Sequence, residues 1–128
     1  MDFYESLAKP DWIPPDWAFP TAWFILWALQ LAAAAIIVSS DRPGRSWAIG
    51  LLVAQFVVSV LWQAVVFGPG RLTLAAWWLV AILVLVVAAT VAAWRTSTTA
   101  GALIAPTIVW VSVAITLGFS LLALNPDA

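Results

Sequence analysis

Tryptophan and glutamine are the residues of this sequence whose chemistry stands out. The chain has ten tryptophans but no histidine and no cysteine. It therefore lacks the commonest metal ligand, the side chain that titrates near neutral pH, and any disulfide. Hydrolysis and acyl transfer need a nucleophile with a base, or a metal, and the sequence suggests neither. What remains is binding chemistry, since each indole offers a wide flat face and one N–H donor that suit a flat apolar ligand.

Helical spacing places the polar side chains on common faces. Three such faces are made up of Gln55, Ser59, Trp62 and Gln63, of Trp23, Trp27 and Gln30, and of Ser112, Thr116 and Ser120 beside Trp110. An amide in lipid needs a partner, so we expect Gln55 and Gln63 to point inward, toward a ligand or each other. For the serine and threonine face we favour helix–helix contact, because hydroxyl residues let helices approach closely.

The elements that carry these faces are apolar segments long enough to cross a membrane. The chain is 65% hydrophobic and 9% charged, with a mean hydropathy of +1.06, whereas soluble domains are about half apolar and roughly a quarter charged. A spanning helix needs about 20 apolar residues, and four segments qualify, at about 19–38, 46–67, 72–94 and 99–124. Charged residues fall outside these segments or at their ends.

The sequence thus predicts an all-α integral membrane bundle of four transmembrane helices, forming a single domain over residues 1–128. Membrane strands alternate polar and apolar residues, but residues 79–87 are apolar throughout. Pro106 should kink the last helix or end its first turn. A net charge of −1 argues against a nucleic-acid partner. The acidic first residues are unlike a signal peptide, so we expect the first apolar segment to be retained.

Residues 9–23 are the most distinctive segment. They contain four prolines and three tryptophans, and proline restrains both its own backbone and that of the preceding residue. We therefore expect residues 1–18 to form a stiff extended loop across the mouth of the bundle. The loop could anchor the protein at the headgroup region, which tryptophan favours, or it could act as a lid over a ligand cavity.

This segment resembles the signature of a known family. From Lys9 to Trp23 the chain reads Lys-Pro-x-Trp-x-Pro-Pro-x-Trp-x-Phe-Pro-x-Ala-Trp, which is similar to the loop and helix start of the TspO or translocator-protein family of tryptophan-rich sensory proteins. The similarity continues in shorter matches at Gln55, Trp62 and Phe67-Gly68, at Pro106 and Trp110, and at Leu124-Asn125. The match covers most of residues 3–125.

The resemblance implies a receptor for porphyrins and other tetrapyrroles, sterols or similar polycyclic lipids, with a sensory or transport-associated role in a prokaryotic cell membrane. It implies no obligatory cofactor, a porphyrin being a non-covalent ligand. The expected ligand-binding residues are Tyr4, Trp12, Trp23, Trp27, Gln55, Ser59, Trp62, Trp110, Ala114 and Leu117. Porphyrin breakdown has been proposed for the family, but no acid–base group here supports it, so we expect no enzyme activity.

Departures from the family pattern suggest a second interpretation. The family's first helix normally precedes the position of Phe3-Tyr4, so we expect a shortened form that lacks this helix. Ser59, Thr107 and Gly118 replace polar pocket residues of the family. The alternative function is therefore a structural or assembly subunit that docks on a larger membrane complex. An open flank predicts a homodimer, or else a partner membrane subunit, packed through small-residue faces formed by Ala28, Ala32 and Ala35 and by Ala88 and Ala92.

Overall fold

The computed structural model describes residues 7–15, 17–65 and 71–125, and within them the chain forms four helices. These are α1 (Ala18–Val38), α2 (Arg45–Val65), α3 (Leu72–Thr96) and α4 (Thr98–Leu124). Each is long and apolar enough to cross a membrane, and the described residues contain no strand. The predicted all-α membrane bundle with four spans is confirmed. The helices begin and end within two residues of the predicted limits. Residues 66 and 67, with which α2 was predicted to end, lie outside the described residues.

The connections between the helices are short and internally bonded. After α1, Gly44 adopts a left-handed φ of 88°, which glycine tolerates without a steric cost. The Arg45 guanidinium then donates to the carbonyl oxygens of Val38 and Ser40, at 3.3 and 2.7 Å, where the end of α1 leaves carbonyls unpaired. Only Ser97 separates α3 from α4, and its hydroxyl caps α4 by accepting from the Ala100 N–H at 3.3 Å.

The helices pack as a bundle whose closest pair is α3 and α4. Their contact is the most extensive, followed by that of α2 with α3 and that of α1 with α4, whereas α1 meets α2 less extensively and through bulky rings, Trp23 against Trp62 and Trp27 against Phe56. Gly101 permits the tight α3–α4 hairpin, because a Cβ at this position would lie 2.9 Å from Trp94 Cα. Ile37, Ile82 and Ile104 are among the fully buried residues of the core.

A buried polar cluster of Gln30, Gln55 and Thr107 joins three of the helices. The Gln55 amide nitrogen donates to Gln30 Oε1 and, at 2.8 Å, to the Leu52 carbonyl. Gln30 Nε2 in turn donates to Thr107 Oγ1 at 3.0 Å. Gln55 therefore points inward as expected, but it pairs with Gln30 and not with Gln63, whose amide nitrogen is buried without a partner.

The serine and threonine face of α4 does not lie where we expected it. Ser112 and Thr116 are exposed on the bundle surface, so they do not form a helix–helix contact. Their hydroxyls donate to carbonyls one turn back, Ser112 to Ile108 at 2.7 Å and Thr116 to Ser112 at 2.9 Å. This bond satisfies the hydroxyl inside its own helix, which removes the need for a partner helix.

We expected Pro106 to kink α4 or end its first turn, and two alanine faces to pack against a partner. Pro106 lies well inside α4, which continues to Leu124, so it does not end the first turn of the helix. Ala28, Ala32 and Ala35 are exposed along α1. The alanines expected to form a second such face, Ala88 and Ala92, are half-buried, and Ala92 packs against the core.

The Gln30–Gln55 contact gives a testable stability prediction. We expect Gln55→Leu or Gln30→Leu alone to lower the free energy of unfolding by about 1–2 kcal/mol, because each removes the buried hydrogen bond between the two amides, and Gln55→Leu leaves Gln30 Oε1 without its donor. The double variant should cost less than the sum, since removing both partners avoids the unpaired group. Denaturant unfolding in micelles measures this, with Ser112→Ala as the control. Strictly additive losses would contradict the pairing.

Candidate ligand-binding site

Three indole rings from two helices form a continuous aromatic cluster. Trp23 and Trp27 lie one turn apart on α1, with ring centroids 5.9 Å apart, and Trp62 of α2 lies 6.2 Å from Trp23. Phe56 extends the row, with its ring 5.3 Å from that of Trp27. We call Trp23, Trp27, Trp62 and Phe56 the aromatic cluster. Trp23, at its centre, is only 4% exposed.

Helix α4 contributes a third wall through residues that share one face. Trp110 meets the Phe19 ring edge to face at a centroid distance of 5.8 Å. Trp110 and Ala114 belong to the same hydrophobic core as Trp23 and Trp62. Leu117 lies one turn further along and is buried in a separate cluster beneath the loop.

The proline-rich loop is fixed across the end of the bundle. Leu7 and Ile13 pack against the cluster that contains Leu117. Ala8 makes two hydrogen bonds with Asn125, whose Oδ1 accepts from the Ala8 N–H at 2.9 Å and whose Nδ2 donates to the Ala8 carbonyl at 2.8 Å. The loop thus lies over the end of α4, while Trp12 remains 49% exposed on it.

The indole and amide groups of the site divide into paired and unpaired ones. Trp62 donates to the Ala75 carbonyl at 3.0 Å. In contrast, the indole nitrogens of Trp27 and Trp110 and the amide nitrogen of Gln63 are buried with no acceptor, and Gln55 Oε1 is buried with no donor. Such groups are costly in hydrocarbon. The two unpaired indole donors, those of Trp27 and Trp110, suit a flat apolar ligand that carries hydrogen-bond acceptors.

The structure places most of the sequence-predicted site residues in two neighbouring groups. Those in the hydrophobic core around the aromatic cluster are Trp23, Trp27, Trp62, Trp110 and Ala114. Gln55 and Ser59 are fully buried, but their donors are occupied by protein groups, Ser59 donating to the Gln55 carbonyl at 2.7 Å. Leu117 lies under the loop. Tyr4 lies outside the described residues.

Sequence reasoning missed several members of the site. Phe19 precedes Trp23 by one helical turn, so its position was readable from spacing. Phe56 contacts Trp27 from another helix, and no local pattern indicates that contact. The pairing of Gln30 with Thr107 joins residues far apart in sequence, which spacing cannot reveal. Among the described residues, no group of histidine, cysteine, aspartate or glutamate is placed to hold a metal ion.

Comparison with known proteins identifies the family. A sequence model described as the TspO/MBR family matches residues 1–124. The chain belongs to the TspO/MBR family. It is 36% identical over 126 residues to protein CrtK of Rhodobacter capsulatus, a match that covers 97% of this chain and 79% of that protein. It is 36% identical over 125 residues to a tryptophan-rich sensory protein of Cereibacter sphaeroides, covering 97% and 77%.

A more distant relative is the human translocator protein, which is 27% identical over 126 residues, covering 93% of this chain and 72% of that protein. Membership of the TspO/MBR family confirms the resemblance and indicates a membrane sensory or binding protein. The four apolar helices and the bacterial relatives together indicate a multi-pass protein of a prokaryotic cell membrane.

The double hydrogen bond between Ala8 and Asn125 can be tested by amide exchange. We expect Asn125→Ala to speed hydrogen exchange at the Ala8 amide roughly fivefold, because a bond worth about 1 kcal/mol no longer protects it. Exchange mass spectrometry in micelles measures this. Ser112→Ala, which removes an exposed hydroxyl on the same helix, is the control. Unchanged exchange in Asn125→Ala would show that the loop is held by apolar packing alone.

Proposed function

We propose that this TspO/MBR protein binds a flat apolar ligand between the proline-rich loop and the aromatic cluster. A porphyrin or related tetrapyrrole is our first choice, with a sterol or similar polycyclic lipid as the wider class. The observation that carries this proposal is a set of packed indoles next to buried N–H donors that have no acceptor. The role would be sensory or transport-associated.

Two kinds of contact would hold such a ligand. Stacking on an aromatic face contributes about 0.5–1.5 kcal/mol beyond area burial, and Trp23, Trp27 and Trp62 present several rings together. The indole N–H groups of Trp27 and Trp110 would pair with acceptors on the ligand. A tetrapyrrole with carboxylate substituents offers both the flat ring and the acceptors, which a hydrocarbon ring system alone does not.

The proposal is for binding rather than for a reaction. The basic residues of the described helices stand at the helix ends. Arg45 begins α2, and Arg95 lies in the last turn of α3. No aspartate or glutamate lies within the four described helices. Ion-coupled transport also relies on ionisable groups inside the membrane, so a passive binding role fits these residues better.

Porphyrin titration tests this proposal. We expect protoporphyrin IX to bind in the micromolar range and to quench tryptophan fluorescence. A triple variant with Trp12→Ala, Trp62→Ala and Trp110→Ala should lose affinity roughly a hundredfold, at about 1 kcal/mol for each ring. The absorption spectrum of the porphyrin reports binding directly.

The control for this titration is Trp77→Ala. Trp77 is 60% exposed, and its ring contacts Phe119 on the outer surface, so its loss should change porphyrin affinity less than twofold. A porphyrin spectrum that the protein leaves unchanged would contradict the proposed function. Equal binding by the triple variant and the parent would place the ligand elsewhere.

A second candidate function is that of a subunit which associates with a copy of itself or with a partner membrane protein. The exposed face of α1 that contains Ala28, Ala32 and Ala35 favours this candidate. Small residues allow close helix packing in lipid, and two-fold pairs are the commonest oligomers. We propose a homodimer first and a foreign helix second.

The mass of the solubilised protein, corrected for bound detergent, distinguishes a monomer from a dimer. We expect twice the chain mass of 13.8 kDa. Ala32→Trp should convert the dimer to a monomer, because the large ring would hold the two α1 helices apart. Val84→Trp, at an exposed position of α3, should not. A monomer of 13.8 kDa that still binds porphyrin would exclude the dimer from the function.

A further inference from the structure

Charge is distributed unevenly between the two ends of the bundle. Short connections join the consecutive helices, so these run in opposite directions, and the α1–α2 connection lies at the same end as the α3–α4 junction. Arg42, Arg45 and Arg95 belong to this end together with one acidic residue, Asp41, and we call it the arginine end. The rest of the chain has two basic and five acidic residues, which lie before α1, between α2 and α3, or after α4.

The arginines of this end keep hydrogen-bond donors available at the surface. All three side chains are exposed. Arg45 is held in place through Nη1, which donates to the carbonyl oxygens of Val38 and Ser40, while its Nε and Nη2 have no partner among the described residues. The guanidinium groups of Arg42 and Arg95 likewise pair with no group in the described part of the chain. A guanidinium matches the geometry of a phosphate with two parallel hydrogen bonds, so these groups suit an anion from outside the protein.

Two exposed tryptophans indicate the depth at which the arginines meet the membrane. Trp47 is 76% exposed and follows Arg45 by two residues, and Trp94 is 50% exposed and directly precedes Arg95. Tryptophan on the surface of a membrane protein prefers the headgroup region of the bilayer. We therefore place the guanidinium groups at the level of the lipid phosphates.

We propose that the arginine end binds the headgroups of anionic phospholipids. An arginine close to an anionic membrane surface typically strengthens lipid attraction about fivefold. A zwitterionic lipid also has a phosphate, but its own ammonium group offsets that charge. Exposed Val91 lies one helical turn before Arg95, where it can contact the acyl chains, which a free phosphate ion lacks. The proposal does not depend on porphyrin binding at the aromatic cluster.

Single fluorescent labels can measure lipid preference at each end, because the chain has no cysteine of its own. Gly50→Cys places the label near the arginine end, at an exposed position of α2 where an added Cβ meets nothing within 4 Å. Leu74→Cys places it near the start of α3, at the opposite end, where the side chain is 48% exposed. Each protein, in phosphatidylcholine nanodiscs, is titrated with phosphatidylglycerol or phosphatidylcholine carrying a quenching nitroxide near the headgroup.

At Gly50→Cys we expect labelled phosphatidylglycerol to reach half-maximal quenching at roughly fivefold lower content than labelled phosphatidylcholine. At Leu74→Cys the two lipids should quench alike. In 1 M salt the preference at Gly50→Cys should fall below about twofold, because the Debye length shortens from about 8 to 3 Å. Equal quenching by the two lipids at Gly50→Cys, or the same preference at both labels, would overturn the proposal.

Two double variants, each made in the Gly50→Cys protein, test the arginines. Arg42→Gln with Arg95→Gln removes two guanidinium groups that bond to no described residue, and should lower the preference for phosphatidylglycerol below about twofold. Lys9→Gln with Arg71→Gln makes the same change of charge at the opposite end and should leave the preference intact. An undiminished preference in the first variant, or an equal loss in the second, would overturn the proposal. Porphyrin affinity should be the same in the arginine variant and the parent, so the two proposals can fail independently.

Discussion

Inside a bilayer no water is available to pair with polar groups, so every N–H, carbonyl, amide and hydroxyl at that depth needs a partner within the protein. The four helices satisfy the backbone in this way. The same demand explains why Ser112 and Thr116 bond to their own helix and why Trp62 and Trp78 donate to the carbonyls of Ala75 and Val58. The Gln30–Gln55–Thr107 cluster satisfies its polar groups by hydrogen bonds between helices, and thereby fixes α1, α2 and α4 in one register.

Against this background, the few polar groups without partners become informative. Trp27, Trp110 and Gln63 each keep a buried nitrogen unpaired, and Pro106 removes the partner of the Ala102 carbonyl. Of these residues, Trp27 packs against Phe56 and Trp110 against Phe19. A protein that binds apolar molecules needs polar groups mainly to choose among them, since burial alone does not distinguish one hydrocarbon from another.

Much of the fold was predictable because membrane spans leave a simple signal. The length and apolar character of each segment located all four helices. The site was less predictable. Spacing showed that Gln55 points inward, but its partner Gln30 lies on another helix, and only tertiary packing brings them together. The exposed position of Ser112 was missed because its hydroxyl can bond within its own helix.

The single-residue connection at Ser97 has a mechanical consequence. With Gly101 pressed against Trp94 and the most extensive helix contact between them, α3 and α4 pack as one plate. Helix α1 joins this plate mainly through α4. Of the four helices, α1 makes the least extensive contacts with the rest of the bundle. Because α1 carries Trp23 and Trp27, two of the three indoles of the aromatic cluster stand on the helix that is least packed against the others.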